Sequence, residues 1–346
     1  MEFFMKYMYD WKEKIDENEL NNVIQILKND GLVLVPTETV YGIAANALSD
    51  EACKKIFIAK GRKQDNPLIV HVSDKEMLLK LVKNVSEIEE KLIDAFMPGP
   101  FTLILEKNEI VSNVASAGNT TIGIRMPENS IIHEIIKKSK LPLSAPSANI
   151  SGKPSGTCIE DIFEELKDKV DCIIDGGECK IGIESTVVKV INGIPTILRP
   201  GFITEKDIKE AVGEVKLSDN LFKKVEKDEL VESPGMKYRH YAPKTKCILI
   251  AKSNKQIEKV NEILEEHKNA CVIGFREDRT LINTEKFIDV GSKNNMNEVA
   301  RNVFSALRKV DRENADLAII EGVEKEGLGL SIMNRLVRAC ENNVIE

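Results

Sequence analysis

Arginine, histidine and tryptophan are scarce in this sequence, and the scarcity of arginine is uneven. Residues 1–212 carry about two dozen lysines but only three arginines, Arg62, Arg125 and Arg199, while the whole chain has four histidines and one tryptophan. Where lysine does the solubilising, an arginine marks a place that needs a planar fork to grip a carboxylate or phosphate through two bonds. The seven cysteines are odd in number, scattered and never spaced Cys-x-x-Cys. That pattern excludes a zinc knuckle and argues for reduced thiols over a disulfide framework. The Gly-x-Gly-x-x-Gly fingerprint is missing, so dinucleotide binding has no support. Gly152-Lys153 fails as a P-loop, because Ser147 stands at its first glycine and Pro154 at its hydroxyl position.

Long apolar runs are missing as well. None approaches a membrane span, and Glu2, Lys6 and Asp10 interrupt the start MEFFMKYMYDWKEK, which excludes the apolar core of a signal peptide. The expectation is a soluble, cytoplasmic protein with no membrane contact. A net charge of -7 excludes coating of nucleic acid by bulk electrostatics and leaves room for a local basic groove. At 346 residues, with 42% hydrophobic and 30% charged side chains, two ordinary globular domains are expected.

The order of elements predicts α/β architecture throughout. Asp16 caps an amphipathic helix carrying Leu20, Val23, Ile24 and Leu27; a strand over Leu32 to Val35 then runs into the hydroxyl-rich loop PTETVYG, Pro36 to Gly42. Ser86 with Glu89 reads as a capping box, and Pro98-Gly99-Pro100 breaks that helix before a strand from Phe101. Further strands are expected at Thr121 to Arg125, Cys172 to Asp175 and Ile183 to Val190. Asn192-Gly193 turns the last of these back into Ile194 to Arg199. Residues 1–212 are thus expected to form one domain and 213–243 a linker ending in the cluster SPGMKYRHYAP. From 244 to 346, alternating strands and helices predict a smaller layer on a parallel sheet.

The stretch from Lys60 to His71, KGRKQDNPLIVH, concentrates two cations, an amide and a histidine on a helix-to-strand connection. Polar groups on such connections are typically functional, since the flanking elements hold them rigidly. The run Ser144 to Thr157, SAPSANISGKPSGT, is longer than a turn requires and supplies hydroxyls and amides suited to ribose and phosphate oxygens. Three arginines, a lysine and these loops point to an anionic small-molecule pocket, most naturally for a nucleotide and a carboxylate-bearing partner. Residue chemistry alone does not name that partner.

PTETVYG, KGR with DNPLIVH, PGPFTLIL, IGIRMP, SAPSAN, EST and LRPG occur in this order. Together they resemble the threonylcarbamoyl-adenylate synthase family, and SPGMKYRHYAP with the domain after it resembles the family's long, two-domain form. The resemblance implies a catalytic domain built on a twisted open sheet with a concave cavity, joined to a Rossmann-like α/β domain. It implies a nucleotidyltransferase that joins L-threonine, bicarbonate and ATP, with Mg²⁺ on the triphosphate, and releases pyrophosphate. The product would feed a transferase complex that modifies tRNA next to the anticodon.

Carried over motif by motif, the resemblance places Thr39, His71, Arg125, Ser144 and Ser185 around threonine. Lys60, Arg62 and Asn66 would face the phosphates, with Lys60 and Arg62 the catalytic cations. Thr121, Ser147, Asn149, Ser155 and Arg199 would complete the ATP site, with His240 delivered by a linker that closes over it. A carbamoyl-adenylate-forming relative in hydrogenase maturation carries zinc-binding Cys-x-x-Cys repeats, which this chain lacks. A double-stranded RNA or tRNA-binding module stands as the reading from another class, with tRNA contact secondary to catalysis in the preferred one.

Overall fold

The computed structural model describes residues 7–222 and 240–346, and the expected linker falls largely outside them. The chain divides into two compact units. The first comprises residues 1–151, 156–180 and 184–237, and the second comprises 152–155, 181–183 and 238–346.

The first unit carries an 11-stranded mixed sheet among the described residues. Its order is Tyr7–Asp10, Cys172–Asp175, Val33–Val35, Gly42–Asn46, Leu143–Ser144, Ile69–His71, Thr121–Arg125, Phe101–Glu106, Thr186–Ile191, Ile194–Arg199 and Lys216–Leu217. The strand Val33–Val35 illustrates why both faces are covered. Its alternating side chains send Leu34 into a cluster with Ile56 and Phe57 of the helix Asp50–Lys60. Val33 and Val35 go to the opposite face, with Leu20, Val23 and Leu27 of the helix Glu17–Lys28 and Ile132 and Ile135 of the helix Ser130–Ser139.

Local chemistry ends these elements where the sequence says it should. The Asp16 carboxylate accepts from the backbone of Asn18 and Glu19, and Ser86 with Glu89 forms a reciprocal capping box on the helix Glu87–Phe96. The helix Asp50–Lys60 stops at Gly61, whose φ of 60° is left-handed. Asn192 and Gly193 both take positive φ and turn Thr186–Ile191 back onto Ile194–Arg199. Several elements, Gly42–Asn46 among them, escape the sequence pattern. Tyr7–Asp10 pairs in parallel with Cys172–Asp175 at the sheet edge, and Lys75–Leu81 forms a short helix capped by Asp74.

Among the described residues the second unit carries a five-stranded sheet in the order Phe287–Asp289, Ala270–Gly274, Leu317–Glu321, Lys246–Ile250 and Val344–Ile345, with every pairing parallel. The helices Gln256–Glu266, Met296–Val310 and Leu328–Ala339 alternate with its strands. Val344–Ile345, too short to show periodicity, is the strand that the sequence does not announce.

The parallel sheet ends on a buried carboxyl. Glu321 is 2% exposed and accepts from the backbone N–H of Phe275 at 3.1 Å. A Cβ on Gly274 would lie 2.3 Å from the same Glu321 oxygen, so glycine is required there. Burial, with Asp278 nearby, pushes the Glu321 carboxyl up to about 7. Between the ordinary glutamate value and about 7 the native state therefore binds more protons than the unfolded chain, and stability falls as pH rises through that window. Relative to Glu321→Gln, the wild type should lose on the order of a few kcal/mol of unfolding free energy between about pH 5 and about pH 8. Denaturant titrations of both proteins at the two pH values check this.

Candidate active site

The carboxyl end of the strand Thr121–Arg125 places a guanidinium inside the first unit. Arg125 is 4% exposed, and its Nη2 donates to Glu38 Oε1 at 2.5 Å, its Nη1 to Thr39 Oγ1 at 3.0 Å and its Nε to the Gly99 carbonyl at 3.3 Å. Parallel register sets His71 beside Arg125. Burial, reinforced by the Arg125 charge, drives the His71 imidazole down to about 3. His71 is therefore placed there as a neutral imidazole and not a cation, and its Nδ1 is buried with no hydrogen-bond partner in the protein.

The loop PTETVYG is held by its own hydroxyls. Thr37 Oγ1 donates to the Val40 carbonyl, accepts from the Val40 N–H and lies 2.8 Å from Thr39 Oγ1. This self-bonded turn presents Thr39 and Glu38 to Arg125. Thr37 and Glu38 also border a cavity of about 450 Å³, with Lys12, Glu128 and Lys180 among its other walls.

A second cluster surrounds Arg199. Its Nη2 donates to the Ser185 carbonyl at 2.9 Å and to Ser185 Oγ at 3.1 Å, its Nε reaches the same carbonyl at 3.2 Å, and Ser185 Oγ lies 2.8 Å from Thr102 Oγ1. The break Pro98-Gly99-Pro100 links the clusters: Gly99 accepts from Arg125, and the next carbonyl, Pro100, accepts from the Thr186 N–H. Gly201 lets its backbone lie against this strand start, since a Cβ there would come within 2.3 Å of the Thr186 nitrogen.

A third cluster joins the stretch from Lys60 to His71 to the serine-rich loop. Lys60 is 2% exposed, and its ammonium donates to the carbonyls of Ser147 and Asn149, with Asn149 Oδ1 at 3.3 Å. Ser147 Oγ donates to Asn149 Oδ1 at 2.7 Å, and the Ser151 N–H returns to the Lys60 carbonyl. Arg62 turns its Nη2 onto the carbonyls of Asn66 and Pro67 at 2.9 and 3.0 Å. Asn66 is 1% exposed, and its Oδ1 has no protein partner.

Ser144 is buried beside Cys53, whose thiol reaches it at 3.7 Å. Thr121 begins the strand that Arg125 ends, so four residues of extended chain, roughly 13 Å, separate the two. Ser155 and His240 group with the second unit. There Arg308 donates to the Pro154 carbonyl at 2.5 Å, and the His240 ring lies 5.6 Å from that of Tyr241. Sequence reasoning passed over Glu38 and Thr102. Glu38 sits inside a motif already singled out, and its being the one carboxylate of PTETVYG was the available signal.

Each of the three arginines of the first unit donates to at least one backbone carbonyl, so these guanidinium groups organise the loops around them. A lysine at 199 could not reproduce two nitrogens on one carbonyl.

Buried guanidinium and ammonium groups, hydroxyl-lined loops and a mixed α/β sheet define a protein built to take a small anionic ligand. The family model described as "Telomere recombination" matches residues 25–201, and that described as "Threonylcarbamoyl-AMP synthase, C-terminal domain" matches 203–340. A threonylcarbamoyl-AMP synthase of Pyrococcus abyssi is 40% identical over 99% of this chain and 100% of its own length, and that of Bacillus subtilis is 37% identical over 98% and 99%. The crystal structure of Pyrococcus abyssi Sua5 complexed with L-threonine superposes with a TM-score of 0.92 at 39% identity, covering 98% of each chain. The chain belongs to the threonylcarbamoyl-AMP synthase family, in its long two-domain form.

Arg125→Lys should lower turnover by roughly two orders of magnitude although charge is kept, because one ammonium cannot serve Glu38, Thr39 and Gly99 together. Steady-state kinetics of the purified variant check this, and near-wild-type turnover would refute the fork argument. In a histidine NMR titration the His71 signals should stay constant from about pH 8 to about pH 5, while an ordinary imidazole moves.

Proposed function

We propose that this chain converts L-threonine, bicarbonate and ATP into threonylcarbamoyl-AMP and pyrophosphate. The observation that carries the reading is the Arg125 cluster. A desolvated guanidinium flanked by hydroxyls and a neutral imidazole suits an amino-acid carboxylate, and it lies in a chain that matches the family along nearly its whole length.

In this reading Arg125, Thr39, His71, Ser144 and Ser185 hold threonine. Lys60, Arg62 and Asn66 face the phosphates, and Ser147, Asn149, Thr121 and Arg199 surround the rest of the nucleotide. Threonine's neutral amine and bicarbonate form an N-carboxylate with loss of water, and that carboxylate attacks the α-phosphate in line as pyrophosphate leaves. Such a substitution asks for positioning and for cations where charge develops, which the three clusters supply without a protein nucleophile.

The Lys60 ammonium spends its hydrogen bonds on the Ser147 and Asn149 carbonyls. Its contribution to the phosphates is therefore through charge and through the shape of the loop. Mg²⁺ enters with the substrate, carried on phosphate oxygens and water. The product is a mixed anhydride, which fits hand-over to a tRNA-modifying transferase in the cytoplasm. No helix among the described residues is long and apolar enough to cross a membrane.

Pyrophosphate release by the full chain should require both threonine and bicarbonate in addition to ATP. Release that ignores threonine, together with tight, salt-sensitive binding of tRNA, would replace this reading with the RNA-binding one.

A further inference from the structure

An α-amino acid is a zwitterion, and a site that accepts it must meet two charges one carbon apart. The guanidinium of Arg125 answers the carboxylate. Three of its five N–H groups are used, one each by Glu38, Thr39 and Gly99, which leaves one N–H on each terminal nitrogen for a ligand. What answers the ammonium is not assigned by the motif comparison.

Among the described residues the buried carboxylates of the first unit are Glu38, Asp175 and Glu184. Asp175 is committed at 2.6 Å to Lys12 and accepts from the Gly177 N–H. Glu38 differs. One of its oxygens binds Arg125 Nη2, and the other, Oε2, is buried with no hydrogen-bond partner in the protein. A buried carboxylate oxygen left unpaired works against stability, and such groups are retained where a ligand or water completes them. Its position is apt. A ligand whose carboxylate docks on the Arg125 guanidinium holds its ammonium one carbon away, beside the carboxylate that shares that guanidinium.

We propose that Glu38 is the ammonium-binding residue of the amino-acid site: Oε1 sets the plane of Arg125, and Oε2 accepts a hydrogen bond from the ligand's α-ammonium. This rests on the reading that the site takes threonine. It assigns a specificity that Arg125 alone cannot supply, because a guanidinium binds an α-hydroxy acid as readily as an α-amino acid.

Calorimetric titration of the full chain with L-threonine and with 2,3-dihydroxybutanoate, in which a hydroxyl replaces the ammonium, tests it. The wild type should prefer threonine by about tenfold or more, the scale of a charge-assisted hydrogen bond. Glu38→Gln should bring the two affinities within about threefold of each other while leaving ATP affinity unchanged. Arg125→Gln should weaken both ligands alike. If Glu38→Gln does not fold, Glu38→Asp, which keeps the charge but withdraws the oxygen by one methylene, should also shrink the ratio. A wild-type ratio retained in the folded variant overturns the assignment of Glu38 alone. A wild type that binds neither compound removes the amino-acid reading of the site, and this inference with it.

Discussion

A guanidinium out of water has to be held from several sides, and Arg125 makes that demand on the first unit. Meeting it takes a carboxylate and a hydroxyl from the loop after Val33–Val35 and a carbonyl from the break before Phe101–Glu106. These segments are distant in sequence. The sheet order brings them to one place, because Ile69–His71 and Thr121–Arg125 are parallel neighbours whose carboxyl ends coincide. The same charge helps to keep His71 neutral, so one interaction sets the geometry of the cluster and the protonation of its neighbour.

Around that cluster the polar side chains serve as scaffold. Lys60 ties the end of the helix Asp50–Lys60 to the loop that begins at Ser144, and Arg199 clamps the start of Thr186–Ile191. An enzyme that relies on positioning gains from loops whose side chains are already committed, since less ordering remains when substrates arrive. The second unit follows different rules. Its all-parallel sheet is a regular α/β layer, and its conspicuous buried charge, Glu321, is tolerated through a backbone donor and protonation near neutrality.

Much of the architecture was legible because local signals coincide with element ends. Asp16, Ser86 with Glu89, Gly61 and Asn192-Gly193 each solve a local problem of unsatisfied backbone or positive φ, and each stands where the structure needs it. Tyr7–Asp10 and Val344–Ile345 were not legible, since edge strands of four and two residues owe their conformation to a partner strand and carry no periodicity of their own.

The sequence by itself determined the α/β alternation, the family motifs and the suspicion that three arginines among many lysines mark a site. Those features are written in residue type and spacing, which local physics reads directly. Only the tertiary structure decided what each cation touches: that Lys60 bonds the Ser147 and Asn149 carbonyls, that Arg199 grips Ser185, and that Arg125 pairs with Glu38, 87 residues away. A hydrogen bond depends on distances of a few tenths of an ångström between segments far apart in the chain, and the packing of the sheet sets those distances.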